Sequence, residues 1–458
     1  MNILANIPNP LGRPYAHLKL KYSHPAYQRS MSELETHQWL SPQEVQQHQW
    51  QKLKALLAHA YENVPYYRRT FAEYGIKPED IQTATDFLKT PILTKAAIQE
   101  HLDTLVVRNA PRDQLLENHT GGSTGHPLTF YQDQNYRAYA SAGLSWGFQM
   151  CGFRPGDKQA FLWGSDYDSK AHKSWQNRLR DWAKNILWIN VFELTESSLV
   201  EAAQALSRWK PDFIWGYTSS VEMLARVVRK YNLHGLRPRA VQLTAEVVTQ
   251  AQREIIEETF GCQVFNRYGC REVSLIAHEC SVHSGLHILA DNHYLEFLDK
   301  NGQPVAAGEE GLIVVTNLHN YAMPFLRYQV EDTGIPSAAT CPCGRGYPLM
   351  EMARGRLVDI IVSPSGKLLH GEFFTHLFYK VRGVQQFQVI QETPHELQIK
   401  IVKGDEFSDG TLQFLEQTIH THGDPGFIIH FKTCDQIPPS PSGKYRFTIS
   451  RIQPYDAV

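Results

Sequence analysis

Trp50, Leu53, Leu57 and Tyr61 recur at helical spacing, which predicts an amphipathic helix. Its start is marked chemically. Ser41 can N-cap, Pro42 suits the first helical position and Glu44 completes a capping box. A second helix is expected over 66–74, stopped by Gly75. Pro91-Ile92-Leu93-Thr94-Lys95 then breaks the chain before a further short helix. Residues 1–40 are aromatic and polar with no firm period, and they predict no element.

Beyond about residue 115, short apolar runs alternate with helical stretches. Strands are expected over 128–131, 160–163, 213–215, 241–244 and 264–265. Helices are expected over 136–150, 197–209, 221–231 and 250–260. Such alternation implies parallel sheets covered by helices. Runs at 293–298 and 311–316, separated by a turn-rich stretch, predict an antiparallel addition. The last hundred residues read as a small α+β unit. It has a hairpin around Ser363-Pro364-Ser365-Gly366, helices over 372–380 and 411–421, and strands over 386–391, 396–402 and 427–431. The expected fold class is therefore α/β, with a large multi-sheet body over 1–354 and a small α+β domain over 355–458.

Composition narrows the function classes. With 42% hydrophobic residues in 458, the chain can bury large cores, so wholesale disorder is excluded. Forty-five Lys and Arg against 47 Asp and Glu leave a net charge of −2, and no basic footprint for nucleic acid. No apolar run approaches the ~18 residues of a membrane helix. Pro8 interrupts the start before a signal-peptide core could form, so a soluble cytoplasmic protein is expected. Seven cysteines are too few and odd in number for a secreted disulfide scaffold. Five of them fall between Cys262 and Cys343, which favours metal binding over cross-linking.

Four segments carry candidate chemistry. Thr120-Gly121-Gly122-Ser123-Thr124-Gly125-His126-Pro127 can turn backbone N–H groups and hydroxyls around an anion. It lacks the Gly-Lys-Ser/Thr ending of a Walker loop, and it equally reads as a surface turn. Arg267-Tyr268-Gly269-Cys270-Arg271-Glu272 follows a strand; its ring could stack on a base and its carboxylate could hold magnesium. The plain alternative is a buried Tyr and a solvated Glu. Asp332, in Arg327-Tyr328-Gln329-Val330-Glu331-Asp332-Thr333-Gly334, is placed to accept from a ribose diol, although Asp-Thr-Gly is also an ordinary turn. Ser440-Pro441-Ser442-Gly443-Lys444 presents a lysine that could simply be a solvated charge.

Taken in this order, the segments resemble the adenylate-forming superfamily of acyl-CoA synthetases, luciferases and peptide-synthetase adenylation domains. Within it, the chain is similar to the phenylacetate–CoA ligase branch and related capsule-biosynthesis proteins. The resemblance runs from Asn63-Val64-Pro65-Tyr66-Tyr67, through Leu88-Lys89-Thr90-Pro91-Ile92-Leu93-Thr94-Lys95 and Gly355-Arg356-x-x-Asp359, to Lys444. It implies that Thr120, Gly121, Gly122, Ser123, Thr124 and Gly125 hold the ATP phosphates. It implies that Tyr268 and Gly269 form the adenine site, that Glu272 holds Mg2+ and that Asp332 binds the ribose. Arg356 would lie near ribose and phosphate, Asp359 would be the hinge of the small domain, and Lys444 would bridge carboxylate and α-phosphate. Three positions depart from the family pattern. His126 stands where Lys is common, Arg271 where a small hydroxyl residue is common, and Glu331 where Gly is usual. The first lowers the charge available to phosphate.

The implied activity is ATP-dependent formation of an acyl-adenylate with release of pyrophosphate, then transfer to coenzyme A. An amide ligase with an amine acceptor shares the same motifs, and a zinc-stabilised scaffold without catalysis is the alternative of another class. Trp146, Trp163, Trp215 and Tyr217 suggest a pocket for an apolar or aromatic acid, or equally a plain core. The chain is expected as a monomer or homodimer. Cys341-Pro342-Cys343-Gly344 can direct two thiolates at one ion, with His278, Cys280 and His287 upstream. Some members of the branch carry zinc around similar cysteines. The favoured ligands are Cys280, His287, Cys341 and Cys343, with His278 or Cys270 as substitutes, against ordinary buried thiols.

Overall fold

The chain starts with helices set by their caps. The computed structural model describes residues 9, 12–15, 23–119, 128–163, 175–190, 196–244, 248–351, 361–365, 368–369, 374, 377–378, 381, 383–404, 406–438 and 447–452. Helix α1 (Pro25–His37) starts behind His24, whose ring nitrogen accepts from the Ala26 N–H. It occupies the stretch that showed no period, because its buried face is Ala26, Ser30 and Leu34, only one of them a large apolar residue. Helix α2 (Pro42–Asn63) has its capping box formed from both sides by Ser41 and Glu44. Helix α3 (Pro65–Glu73) follows, and the chain leaves it through Gly75 at positive φ.

Strands β1 (Leu116–His119) and β2 (Thr129–Gln132) pair antiparallel with each other. The expected strand at 128–131 therefore exists, but in a small sheet of its own rather than in the parallel one. Helix α4 (Gln134–Met150) is capped by Asp133, which accepts from the Tyr136 N–H and, through its other oxygen, from Tyr321 and Ala322. A Cβ on Gly147 would stand 2.9 Å from the His278 ring, so this helix lies tightly on the strand carrying His278.

The parallel sheet is built from β3 (Gln159–Trp163), β4 (Ile186–Asn190), β5 (Phe213–Tyr217), β6 (Ala240–Thr244) and β7 (Gln263–Cys270). Helix α5 (Trp175–Ala183) precedes β4. On one face Leu162, Ile214, Val241 and Val264 form a core with residues of α6 (Glu196–Trp209), α7 (Thr218–Lys230) and α8 (Gln250–Phe260). On the other face Phe213 and Phe265 pack with Phe148 of α4.

The sheet continues antiparallel through β8 (Ser274–Glu279) and β9 (Leu286–Ile288). It extends to β10 (His293–Leu298), β11 (Gly311–Asn317), β12 (Tyr328–Ser337) and β13 (Leu349–Glu351). The strand order is β10-β11-β12-β13-β9-β8-β7-β6-β5-β3-β4. Arg327, at φ 50°, is buried where β12 begins. Its guanidinium pairs with Glu296 and donates to the carbonyls of Leu88 and Thr90. The Leu88–Lys95 segment is thereby fastened to the sheet, and Leu93 adds backbone bonds with Arg327 and Gln329.

The described residues divide into two compact units: Met1–Val330 with Gly334–Ala353, and Glu331–Thr333 with Arg354–Val458. In the second, β14 (Ile361–Val362) and β15 (Leu368–Leu369) form a hairpin. A four-stranded sheet follows, built from β16 (Val384–Thr393), β17 (Glu396–Lys403), β18 (Ile428–Thr433) and β19 (Thr448–Ser450) in the order β18-β17-β16-β19. Helix α9 (Asp409–Thr418) ends in an i→i+5 turn over Ile419–Gly423, where a single helix to 421 was expected. The helix expected over 372–380 lies mostly outside the described residues; Phe374, Leu377 and Phe378 are buried in this unit's core. Among the described residues, no helix is long and apolar enough to cross a membrane.

Candidate active site and metal cluster

The Tyr-Gly-x-x-Glu segment is a tight reversal. Strand β7 ends at Cys270, which pairs with Ser274 at the start of β8. A Cβ on Gly269 would collide with the Ser274 carbonyl, and Ser274 itself takes a left-handed φ of 67°. This puts Glu272 at the tip of the turn, beside the carboxyl end of the parallel strands, where open α/β sheets bind ligands.

Glu272 is nevertheless buried, at 8% exposure. Its backbone carbonyl accepts from Gln132 Nε2 at 3.3 Å and from the Tyr136 hydroxyl at 3.2 Å. Its carboxylate accepts from the Tyr328 hydroxyl at 2.8 Å. The other carboxylate oxygen has no protein donor among the described residues, which fits a group that could hold a cation. Burial pushes the Tyr136 phenol well above its ordinary range, so it stays a neutral donor. Tyr268 is half-buried on β7, two residues before the turn. Asp332 is half-buried on β12, four residues beyond Tyr328 on the same strand. Thr120–Gly125, Arg356, Asp359 and Lys444 lie outside the described residues.

The aromatic residues separate into two groups. Trp163, Trp215 and Tyr217 come together near the ends of β3 and β5, with Trp163 5.2 Å from Trp215 and 4.5 Å from Tyr217. Trp146 does not join them. It is buried under α4, donates to Gln38 Oε1 at 3.0 Å and packs against Tyr347. The pocket expectation therefore loses Trp146 to the core.

The cysteine cluster assembles as a distinct site. Cys280 follows β8, His287 lies on β9, and Cys341 and Cys343 lie between β12 and β13. Their ligand atoms all fall within 4.8 Å of one another. Cys280 Sγ is 3.6 Å from Cys341 Sγ, and Cys343 Sγ is 3.4 Å from His287 Nε2. A tetrahedral zinc with ordinary bond lengths has edges of roughly 3.5–3.8 Å, so these two separations match such edges and the donor set suits such an ion. Burial, then the Arg345 charge, lowers His287 to about 4, leaving a neutral imidazole. Burial alone would raise Cys343, but hydrogen bonds from Arg345 win and lower it, while burial raises Cys341. His278 is directed elsewhere: Nδ1 meets the Glu279 carbonyl at 2.6 Å, and Nε2 meets Gln242 and Cys151. Cys270 stays at the β7 turn, outside the cluster. No cysteine is in a disulfide.

Known proteins share this fold. The family model described as the CapK C-terminal domain matches residues 361–451. Phenylacetate–coenzyme A ligase of Escherichia coli K12 is 28% identical over 389 residues, covering 82% of this chain and 80% of that protein. Protein CapK of Staphylococcus aureus is 22% identical over 408 residues, covering 88% of each. The crystal structure of a 2-hydroxyisobutyryl-CoA ligase in the postadenylation state superimposes with a TM-score of 0.73 over 92% of both chains, at 20% identity, and shares the fold. The chain is similar, over most of its length, to members of the adenylate-forming superfamily. These relatives include phenylacetate–CoA ligases and CapK. The resemblance drawn from short motifs thus extends across most of the superfamily fold. Tyr328, Gln132 and Tyr136 were missed because each acts through Glu272 from a distant element. For Tyr328 the available signal was its place in the Arg-Tyr-x-x-x-Asp motif.

Proposed function

We propose that the protein activates a carboxylic acid with ATP, forming an acyl-adenylate and pyrophosphate, and then passes the acyl group to coenzyme A. The observation that carries this reading is the Glu272 turn. A buried carboxylate is oriented by Tyr328 at 2.8 Å, beside Tyr268 and at the ligand-binding end of the sheet. Glu272 would hold Mg2+, which supplies charge neutralisation for the phosphates. Tyr268 would stack on adenine, with Gly269 giving the turn its close approach. Asp332 would accept from the ribose hydroxyls. Residues 120–125 would bind the phosphates and Arg356 would lie near them.

The substrate carboxylate itself is the nucleophile, so no protein nucleophile is required. Lys444 would neutralise the charge that grows on the reacting phosphate, and Asp359 would be the hinge that lets the 355–458 domain clear the site for the thiol. Cys280, His287, Cys341 and Cys343 would hold a zinc ion. Four protein ligands leave no open position, so its role is structural. It would tie the β8–β9 hairpin to the β12–β13 connection. That connection also meets the end of α1, through Arg345 Nε to Gln38 Oε1 at 2.7 Å and the Gly346 N–H to the Gln38 carbonyl. ATP, coenzyme A and reduced thiols point to the cytoplasm.

The deciding experiment is ATP–pyrophosphate exchange across a panel of carboxylic acids, followed by separate addition of coenzyme A and of amines. Exchange with an acid, then a thioester with coenzyme A, supports the reading. Product with amines alone would assign the acceptor to the amide-forming class. Absence of exchange with every acid would overturn adenylation.

A further inference from the structure

Arg267 precedes the adenine-site tyrosine, and its surroundings do not explain its charge. Its guanidinium lies 4.8 Å from the centre of the Trp215 ring. Its Nε is buried without a hydrogen-bond partner, and no ion pair reaches it among the described residues. Trp215 Nε1 is likewise buried without an acceptor. Two neighbouring N–H donors are thus buried and unpaired, in a row that also holds the unpaired Oε1 of Gln242. An unpaired buried donor is costly, and more so when charged. Burial lowers the guanidinium to about 10; the Cys151 thiol is the one group that opposes this, and no carboxylate contributes.

The place of this pair in the sheet gives it direction. Phe161, Trp215, Gln242 and Phe265 align across β3, β5, β6 and β7 by register. They form one row on the face opposite the α6–α8 core, and Arg267 is one pleat further along β7 on that face. Phe161 and Trp163 of β3 close on Trp215, and Tyr217 packs on Trp163. The environment is thus an aromatic wall with a cationic end. Strand alternation puts Tyr268 on the other face of β7 from Arg267. A carboxylate undergoing activation on the Tyr268 and Glu272 side is therefore not the group that Arg267 meets.

We propose that Arg267, stacked on Trp215, forms the distal end of the acid-binding site and holds a second anionic group of the substrate, a carboxylate in the first instance. The substrate class is then an aromatic or apolar acid bearing a second carboxylate. This rests on the adenylation reading above for the identity of the first one. Arg267 is a specificity-determining residue here, distinct from the groups proposed for the chemistry. A guanidinium offers a planar fork that matches a carboxylate, and the Trp215 N–H adds a donor beside it.

The test uses matched acids on the full-length protein: phenylacetate against para-carboxyphenylacetate, and hexanoate against adipate. Pyrophosphate exchange is measured for the parent, Arg267→Gln and Arg267→Lys. Binding of the same acids without ATP is followed by tryptophan fluorescence, which Trp215 should report. The parent should favour the dicarboxylate of each pair by roughly 10-fold to 100-fold in KM and in binding, as expected for a charged hydrogen bond. Arg267→Gln should abolish that preference while turnover of the monocarboxylate stays within about threefold. Arg267→Lys should keep part of it. Equal treatment of each pair by the parent, or a preference that survives Arg267→Gln, overturns the inference. If no acid supports exchange but dicarboxylate binding still depends on Arg267, the adenylation reading fails and this one stands. Near-UV circular dichroism checks that Arg267→Gln is folded; if it is not, the parent pairs and Arg267→Lys decide.

Discussion

The phenol of Tyr328 donates a 2.8 Å hydrogen bond to Glu272 Oε1, and both residues are buried. Tyr328 opens β12 and Glu272 tips the β7–β8 turn, so two motifs 56 residues apart meet in one contact. The contact fixes one carboxylate oxygen and leaves the other for a cation. It also explains why the Arg-Tyr pair precedes Asp332: Arg327 anchors the strand through Glu296, and Tyr328 orients the metal-site candidate.

Tyr328→Phe should therefore weaken magnesium more than it weakens the fold. The ring still fills its core position, and one charged hydrogen bond, about 1.5–3 kcal/mol, is lost. The apparent Mg2+ requirement of pyrophosphate exchange should rise by roughly 10-fold to 100-fold, as for other groups that orient a ligand. Turnover at saturating Mg2+ should stay near the parent value. A magnesium titration identical to the parent's would sink the role given to Glu272.

One zinc per chain is the second expectation. Elemental analysis of protein purified without added metal should show it, and a chelator should remove it with a drop in melting temperature. Cys343→Ser should lower the melting temperature by about 5–10 °C, because metal binding energy is partly folding energy. Chemistry should change little in the surviving folded fraction. A zinc content near zero, together with Cys341→Ser as stable as the parent, would refute the site.

Much of this site was legible in the sequence, for reasons that differ by element. The helix from Pro42 declared itself because its cap and apolar period agree. The cluster of Cys280, His287, Cys341 and Cys343 was readable because cysteines are sparse and Cys341 and Cys343 stand one residue apart, able to direct two thiolates at one ion. Strand β4 was not anticipated, because Ile186–Asn190 lies in a short run with little alternation. Helix α1 was invisible because its buried face, Ala26, Ser30 and Leu34, has one large apolar residue; it packs by Leu34, Tyr27 and Met31, and His37 adds a polar anchor. His37, Lys52 and Tyr347 all converge on the buried Asp291. Trp146 misled for the opposite reason, since a large aromatic looks the same in a pocket and in a core.

Lys444→Ala should abolish adenylate formation while the fold and ATP affinity largely survive. A contact that strengthens only in the transition state affects turnover more than binding. Loss of one such charge costs about 3–4 kcal/mol, or 10²–10³ in rate. Thioester formation from preformed acyl-adenylate should be less affected, because that step needs the lysine moved away. Near-normal pyrophosphate exchange in the variant would remove Lys444 from the mechanism.

Acid should destabilise the large unit through its buried histidines, while Glu296, raised by burial, acts in the opposite sense and is common to the proteins compared. His293 is buried, its Nε2–H donates to the Leu275 carbonyl at 2.8 Å, and burial lowers it to about 4. His319 is buried against Tyr139 at 3.6 Å between ring centres, and its Nε2–H donates to the Asp291 carbonyl at 2.8 Å. Burial, then the Lys52 charge, lowers it to about 3. An unfolded histidine titrates near 6.5. Between about 4 and 6.5 the unfolded chain therefore binds protons that the folded chain refuses. Stability is fully present above pH 6.5 and is lost as pH falls through that window, by about 1.4 kcal/mol per pH unit for each histidine. Asp291 acts in the same direction but lower: burial raises its carboxyl, His37, Lys52 and Tyr347 outweigh burial, and its loss begins only near the ordinary carboxylate range. The measurement is the urea midpoint of the parent and of His293→Gln from pH 8 to pH 4.5. The metal cluster is common to both proteins and cancels in the comparison. The variant should be less stable at pH 8 yet show a shallower loss towards pH 4.5. Parallel curves would mean that His293 is already protonated in the fold, or accessible to water, and would exclude it as a source of the acid sensitivity.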